Sequence, residues 1–194
     1  MIKKSIICNG EDNIKKLVAI IFAMMICCAA FARVPMYAGG LFGFDGYAYD
    51  SANFGTIGID AHFGFRPIDD LQNLAFEGGL KFVFEDKDKL EDDSTVEASG
   101  IELITRAIYD FKPLSSMPEL SFYVSGGIGI QFIQFRWEGK YGSWAEGDET
   151  FLSIPVGGGL KYKINDNLEA LAHAELGLGK AFEFYLAAGI NYKF

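Results

Sequence analysis

The sequence predicts an all-β chain, an eight-stranded antiparallel up-and-down transmembrane β-barrel behind an N-terminal export signal. Three observations carry that expectation. Half of the 194 residues are hydrophobic, yet the one uninterrupted apolar run lies near the N-terminus, so a helical membrane bundle is excluded. The remaining apolar residues recur at every second position, the spacing that sends successive side chains of a strand to opposite faces. Glycine (23) and phenylalanine (18) are plentiful and proline (5) is scarce, a balance that suits long strands joined by tight turns.

Residues 1–32 read as an export signal. Lys3, Lys4, Lys15 and Lys16 make a basic start, Leu17 to Ala32 form an apolar run, and Ala30-Phe31-Ala32 is a small-x-small cleavage site before Arg33. That run is shorter than the roughly 20 residues a spanning helix needs. The region before the apolar run is long and also carries Glu11 and Asp12, which leaves open a translation start further downstream or an unusual signal. Cys8, Cys27 and Cys28 all fall in this segment, so residues 33–194, the expected barrel domain, have no thiol for a disulfide or a metal. Lipidation at Cys27 or Cys28 is disfavoured by Ile26 and Cys27 as preceding residues. Removing four lysines and two acids leaves 13 basic and 24 acidic residues, a net charge of −11 that argues against nucleic acid as a partner.

The strands follow in order. A first strand, about Pro35 to Tyr47, is inferred from spacing and parity, and its glycines leave its faces unassigned. Ile57, Ile59, Ala61, Phe63 and Phe65 alternate with polar or small residues, as do Leu74 to Phe84 and Ile101 to Phe111. Phe122 to Phe132 and Leu152 to Ile164 repeat the pattern. Leu168 to Leu178 and Phe182 to Phe194 complete it, the last with apolar residues at every even position. The connections alternate between two sets. Arg66 to Asn73, Pro113 to Glu119 and Asn165 to Asn167 would be periplasmic turns. Ala48 to Ala52, Asp86 to Ser99, Trp137 to Glu149 and Gly179 to Ala181 would be extracellular loops.

Gly189-Ile190-Asn191-Tyr192-Lys193-Phe194 resembles the C-terminal signal of bacterial outer-membrane barrels, with glycine, an aromatic two residues from the end and a terminal phenylalanine. The strand, turn and strand from Val156 through Asn165-Asp166-Asn167 resemble the penultimate hairpin of small OmpA-like and OmpX-like barrels. The resemblance covers the whole mature chain as architecture and about the last forty residues as motif. It implies an outer-membrane location, surrounded by outer-membrane lipids and lipopolysaccharide. It also implies insertion by the barrel-assembly machinery, which would read Gly189, Tyr192 and Phe194. Ala187 stands where the family has a polar residue, a departure from the pattern.

A barrel of eight strands has an interior that side chains fill. The expected inward set is Asp60, Arg66, Glu77, Lys81, Glu85, Glu102, Arg106, Asp110, Lys161, Glu169, Glu175 and Glu183. Within it Lys81 and Arg106 fall near mid-height, with Glu85 and Glu102 above and Glu77 and Asp110 below, a network in which opposite charges offset each other's burial. A catalytic triad needs a histidine beside a nucleophile and an acid. His62 and His173 are the two histidines, both expected inward, and no serine is evidently placed beside either. No cofactor is expected. Asp86 to Glu97 is an acidic loop without EF-hand ligand spacing. Trp137 is expected in the interfacial aromatic girdle, and Trp144 is a candidate surface contact whose ligand the sequence does not specify. The functional expectation is a non-enzymatic barrel with a structural or surface-interaction role, with a narrow solute or ion channel as the alternative. A soluble lipocalin-like barrel would place its apolar residues inside; here the charged residues share the face with fewer aromatics.

Overall fold

A computed structural model describes residues 34–49, 52–67, 73–89, 94–139 and 144–194. The chain divides into Met1–Val34 and Pro35–Phe194. The expected export signal, residues 1–32, lies outside the described residues.

Eight strands follow one another: β1 Met36–Tyr49, β2 Ala52–Phe65, β3 Leu74–Lys89, β4 Thr95–Asp110, β5 Leu120–Glu138, β6 Trp144–Lys163, β7 Leu168–Gly179 and β8 Phe182–Lys193. Each pairs antiparallel with its sequence neighbours, and β1 pairs with β8 from Tyr37↔Lys193 to Ala48↔Phe182, closing the barrel. Closure removes the sheet edge through the span, which lipid cannot hydrogen-bond. β2–β3, β4–β5 and β6–β7 connect at the end where β1 starts and β8 finishes, here the terminal end. The four intervening hairpins turn at the opposite, hairpin end.

The alternation sorts side chains as expected. Leu152, Ile128, Ile154 and Leu186 stand more than half exposed on the outer face, while Lys81, Asp60, Tyr185 and Ser153 are buried within. The result is a barrel with an apolar exterior and a polar interior, the reverse of a lipocalin. Aromatic residues ring the terminal end of the belt, with Tyr109 edge-on to Phe111 and Tyr192 edge-on to Phe194. The first strand also acquires faces: Tyr37, Leu41, Asp45 and Tyr47 are buried inside, and Phe42 and Phe44 point out.

Two expected loops are largely strand. Residues expected in Asp86–Ser99 and Trp137–Glu149 continue the sheet, through Asp86↔Ala98 to Lys89↔Thr95 on one side and Ile133↔Glu149 to Glu138↔Trp144 on the other. The physical reason is that the strands leave the apolar belt without leaving the sheet: their outward residues become Glu97, Gln134, Arg136, Glu146 and Asp148. β7 and β8 meet within the belt, at Gly179 and Phe182. A four-stranded sheet, β3 to β6, therefore projects beyond the barrel at the hairpin end.

Candidate functional site

The interior can be read in layers along β4, whose inward residues from the terminal end are Asp110, Ile108, Arg106, Ile104, Glu102, Ala98 and Val96. At the terminal mouth Asp110 accepts from Lys161 Nζ at 2.6 Å and pairs with Arg66, while Lys193 pairs with Glu169. Above it Tyr37, Ala75, Ile108 and Tyr123 form a small apolar cluster.

Arg106 dominates the next layer. Its Nε and Nη2 grip both oxygens of Glu175 at 2.7 and 2.9 Å, and its Nη1 donates to Asp60 Oδ2 at 3.0 Å and Glu77 Oε1 at 3.1 Å. A planar fork can satisfy several carboxylates at once; an ammonium cannot match that geometry. Glu77 also accepts from the Tyr37 hydroxyl. His62 sits between Asp60, 2.9 Å from Nδ1, and Asn191, 2.7 Å from Nε2. His173 stacks on Tyr123, with Nδ1 2.7 Å from its hydroxyl and Nε2 3.4 Å from Glu175. Both histidines are thus engaged by lumen side chains, His62 by Asp60 and Asn191 and His173 by Tyr123 and Glu175.

Leu41, Leu171, Tyr185 and Ala187 form an intervening apolar cluster. Beyond it Lys81 repeats the theme: Nζ lies 2.8 Å from Glu102 and 3.6 Å from Asp45, pairs with Glu183, and faces the ring of Tyr185. Glu102 accepts from the Ser153 hydroxyl and Glu183 from Gln131 Nε2. Arg106 and Lys81 thus each serve three acids, and neutral donors from across the lumen reach Glu77, Glu102 and Glu183, while neither oxygen of Asp45 accepts a hydrogen bond. At the hairpin end Tyr47, Phe54, Val96, Ile133, Phe135, Phe151 and Ala181 close the lumen with an apolar plug. A cavity bordered by that plug, Glu102 and Gln131, and another beside Arg106, His173 and Ser125, each leave about 20 Å³ for the centre of a water-sized sphere. That is room for about one water.

Of the expected lumen network, Glu77 and Arg106 share one layer, Lys81 and Glu102 another, and Asp110 stands apart at the mouth. Glu85 is corrected: it is exposed and outside the network, 4.0 Å from Lys87. The register shifts between Val83 and Asp86, and the extra residue reverses the phase of β3, so Asp86 and Asp88 take the inward positions beyond it. Trp137 is also corrected. It occupies the inward phase of β5, stacked on Phe135, rather than the lipid-side girdle. Trp144 opens β6 opposite Glu138. Of the acidic stretch, Glu91, Asp92 and Asp93 lie outside the described residues. Asp88 and Asp86 accept from the backbone N–H groups of Asn53 and Gly55. Glu97 pairs with Lys87 and Arg136, and the hydrogen bond from Lys87 holds its carboxyl below the usual range. Among the described residues no group of three His, Asp or Glu side chains is placed to hold a metal ion. Gly189 lies on the β1–β8 seam, where a Cβ would stand 1.9 Å from the carbonyl oxygen of Gly40. Tyr192 and Phe194 point outward at the terminal end.

Asp45, Gln131, Ser153 and Asn191 were not among the expected lumen charges. The last three already occupied the inward phase of recognised strands; Asp45 required the β1–β8 register to fix its face.

The outer membrane protein beta-barrel domain family matches residues 18–178. The chain belongs to that family. Among solved structures it is similar to Neisserial surface protein A, at 17% identity and a TM-score of 0.57, covering 82% of this chain and 97% of that one. It is similar too to Ail, the attachment invasion locus protein of Yersinia pestis, seen with the heparin analogue sucrose octasulfate: 12% identity, TM-score 0.56, 83% and 99% covered. The N-terminal barrel domain of Pseudomonas aeruginosa OprF matches at 20% identity and a TM-score of 0.53, with 80% and 97% covered. No curated protein sequence matches it. The fold is an outer-membrane barrel, and its apolar belt lies in the bacterial outer membrane.

Proposed function

We propose that this protein is a non-enzymatic outer-membrane barrel whose body is a sealed anchor and whose hairpin end makes surface contacts. The observation that carries this reading is the division of the fold. The lumen is packed with paired charges under an apolar plug, while β3 to β6 continue past the belt as a sheet with no lipid to face. Function on a rigid scaffold concentrates in such projecting segments. In this reading the hairpin end faces outward from the cell, outer-membrane lipids and lipopolysaccharide surround the belt, and the barrel-assembly machinery reads Gly189, Tyr192 and Phe194. The likeness to a surface protein and an attachment protein supports a surface role. Binding of a polyanion, as the Ail complex shows for that protein, does not suit this chain. Glu85, Asp86, Asp88, Glu97, Glu138, Glu146, Asp148 and Glu149 crowd its projecting sheet against Lys87, Lys89 and Arg136.

A cysteine placed at Thr95 tests the orientation: a membrane-impermeant maleimide should label it on intact cells and leave a cysteine at Asn165 unlabelled. The reverse pattern overturns the reading. The channel alternative draws on the charged lumen. Planar-bilayer recordings should show no steady conductance, and a stable ohmic conductance would favour the channel.

A further inference from the structure

We propose that the β4–β5 turn, Pro113 to Pro118, is an interfacial membrane anchor, a braced apolar tip that seats Leu114 and Met117 in the headgroup layer at the terminal end of the barrel. The proposal needs only the belt's place in the membrane and holds whichever end of the barrel faces out of the cell.

β4 ends at Asp110 and β5 begins at Leu120. Between them the hairpin continues past the strand ends: Phe111 N donates to Phe122 O at 2.9 Å and Leu114 N to Leu120 O at 3.0 Å. Two tight reversals then close the tip, through Met117 N to Leu114 O at 3.1 Å and Leu120 N to Met117 O at 3.0 Å. Pro118 stands at the second position of the latter turn, where its fixed φ suits the reversal.

The side chains on this frame are apolar and uncovered. Leu114 is 37% and Met117 45% exposed, with Pro113 and Pro118 exposed beside them. From Pro113 to Pro118 the sequence has no charged residue. The β6–β7 turn at the same end is built the opposite way. There Asn165, Asp166 and Asn167 are exposed, and the Asn165 side chain accepts from the backbone N–H groups of Asn167 and Leu168. One turn is suited to water; the other holds apolar side chains outward by its own backbone bonds.

Continuity and height choose the occupant. The tip follows directly on Tyr109, Phe111 and Phe122, which face lipid at the terminal edge of the belt. Leu114 lies three residues past Phe111, at most about 10 Å of extended chain and about 8 Å along the membrane normal at a strand tilt of about 40°. A headgroup layer is about 5–8 Å deep on each side of the hydrocarbon. The tip therefore ends within that layer, where Leu114 and Met117 meet the acyl boundary and the exposed Lys112 can turn its ammonium to lipid phosphate. Seated there, the turn fixes the depth of the barrel on its β4–β5 side.

Residues 33–194 contain no cysteine, so a dye can be placed alone. An environment-sensitive fluorophore on Ser115→Cys, and on Asp166→Cys as the reference, is read in the folded protein in lipid vesicles at low protein content. The quenchers are lipid spin-labelled on its acyl chain and iodide present on both sides of the membrane. The ratio of lipid to iodide quenching should be at least ~5-fold higher for the Ser115 dye than for the Asp166 dye. Adding Leu114→Ser and Met117→Ser should bring the Ser115 dye to the reference ratio while heat-modifiable mobility is kept. Met117→Ser alone, a smaller change at an exposed position, should lower the ratio part of the way. Equal ratios at the two turns would overturn the proposal and leave the tip to a protein partner or a second copy. A high ratio that survives the serine changes would show that the dye seeks lipid by itself, and would overturn it as well.

Discussion

Arg106→Met should remove more stability than any other single change of similar volume in the lumen. The side chain is 3% exposed, and three carboxylates, Glu175, Asp60 and Glu77, turn oxygens toward its guanidinium. Methionine fills much of the space but leaves those acids without their cation in a site that holds about one water beside it. Breaking a buried ion pair from one side costs about 3–5 kcal/mol. Against a total stability of about 5–15 kcal/mol the variant should be poorly populated in its folded form. Arg106→Lys should recover part of the loss, because charge returns without the two-pronged grip on Glu175. The control is Arg136→Met: that side chain is 56% exposed and its pairing with Glu146 should contribute at most about 1 kcal/mol. Urea titrations in detergent, scored by heat-modifiable gel mobility, would measure all three. A loss for Arg106→Met no larger than for Arg136→Met would refute the reasoning, since it would mean that water or protons neutralise the acids freely.

Three further outcomes follow from the geometry. Ile128→Arg and Ile154→Arg, on the lipid face, should each cost roughly 2–4 kcal/mol, whereas Gln134→Arg above the belt should cost roughly 0–1. Equal costs in the same titration would mean the belt is misplaced. Gly189→Ala should lower the yield of folded barrel, because its Cβ would meet the Gly40 carbonyl across the closing seam; an unchanged yield would show that the seam can open to admit it. Lys163 pairs with Asp166 at 2.7 Å in the β6–β7 turn and holds its carboxyl below the ordinary range. A depressed acid contributes above the unfolded pKa and loses that contribution as pH falls through the folded one. The Asp166 carboxyl resonance should accordingly titrate below a free aspartate in an NMR series, and a midpoint at or above the free value would contradict the pair.

The legibility of this fold follows from its period. A lipid-facing strand must alternate without interruption, so β7 and β8 could be read almost residue by residue, and the phase then placed Lys81, Glu102 and Arg106 inside. Legibility failed where alternation carried no hydrophobic contrast. Gly39, Gly40, Gly43 and Gly46 hid the faces of β1 and with them Asp45. Beyond the belt the outward residues turn polar, so strand and solvated loop look alike, and the projecting halves of β4, β5 and β6 were lost. Glu85 was misplaced because a single inserted residue inverts every later face, and nothing in Phe84-Glu85-Asp86 announces a bulge. Contacts across the lumen, such as Arg106 with Glu175, depend on the barrel's closure and stagger and are invisible to strand phase alone.

The lumen itself bears on the choice between anchor and channel. Along β4 charged residues alternate with apolar ones, Asp110, Ile108, Arg106, Ile104 and Glu102, and each charge is tied to partners on other strands. An ion entering from the terminal mouth would have to displace Lys161 or Arg66 from Asp110, pass the Tyr37, Ile108 and Tyr123 cluster, and then part Arg106 from Glu175. It would still meet Lys81 bound to Glu102 and Glu183, and beyond that the aromatic plug of Tyr47, Phe54 and Phe135. Conduction requires binding weak enough to leave, and desolvated pairs with extra donors on their oxygens are the opposite arrangement. The same contacts that oppose conduction join distant strands across the barrel, from β4 to β7 through Arg106 and from β3 to β8 through Lys81. A body braced in this way holds the projecting sheet in a fixed position, as a surface contact made at the hairpin end would need.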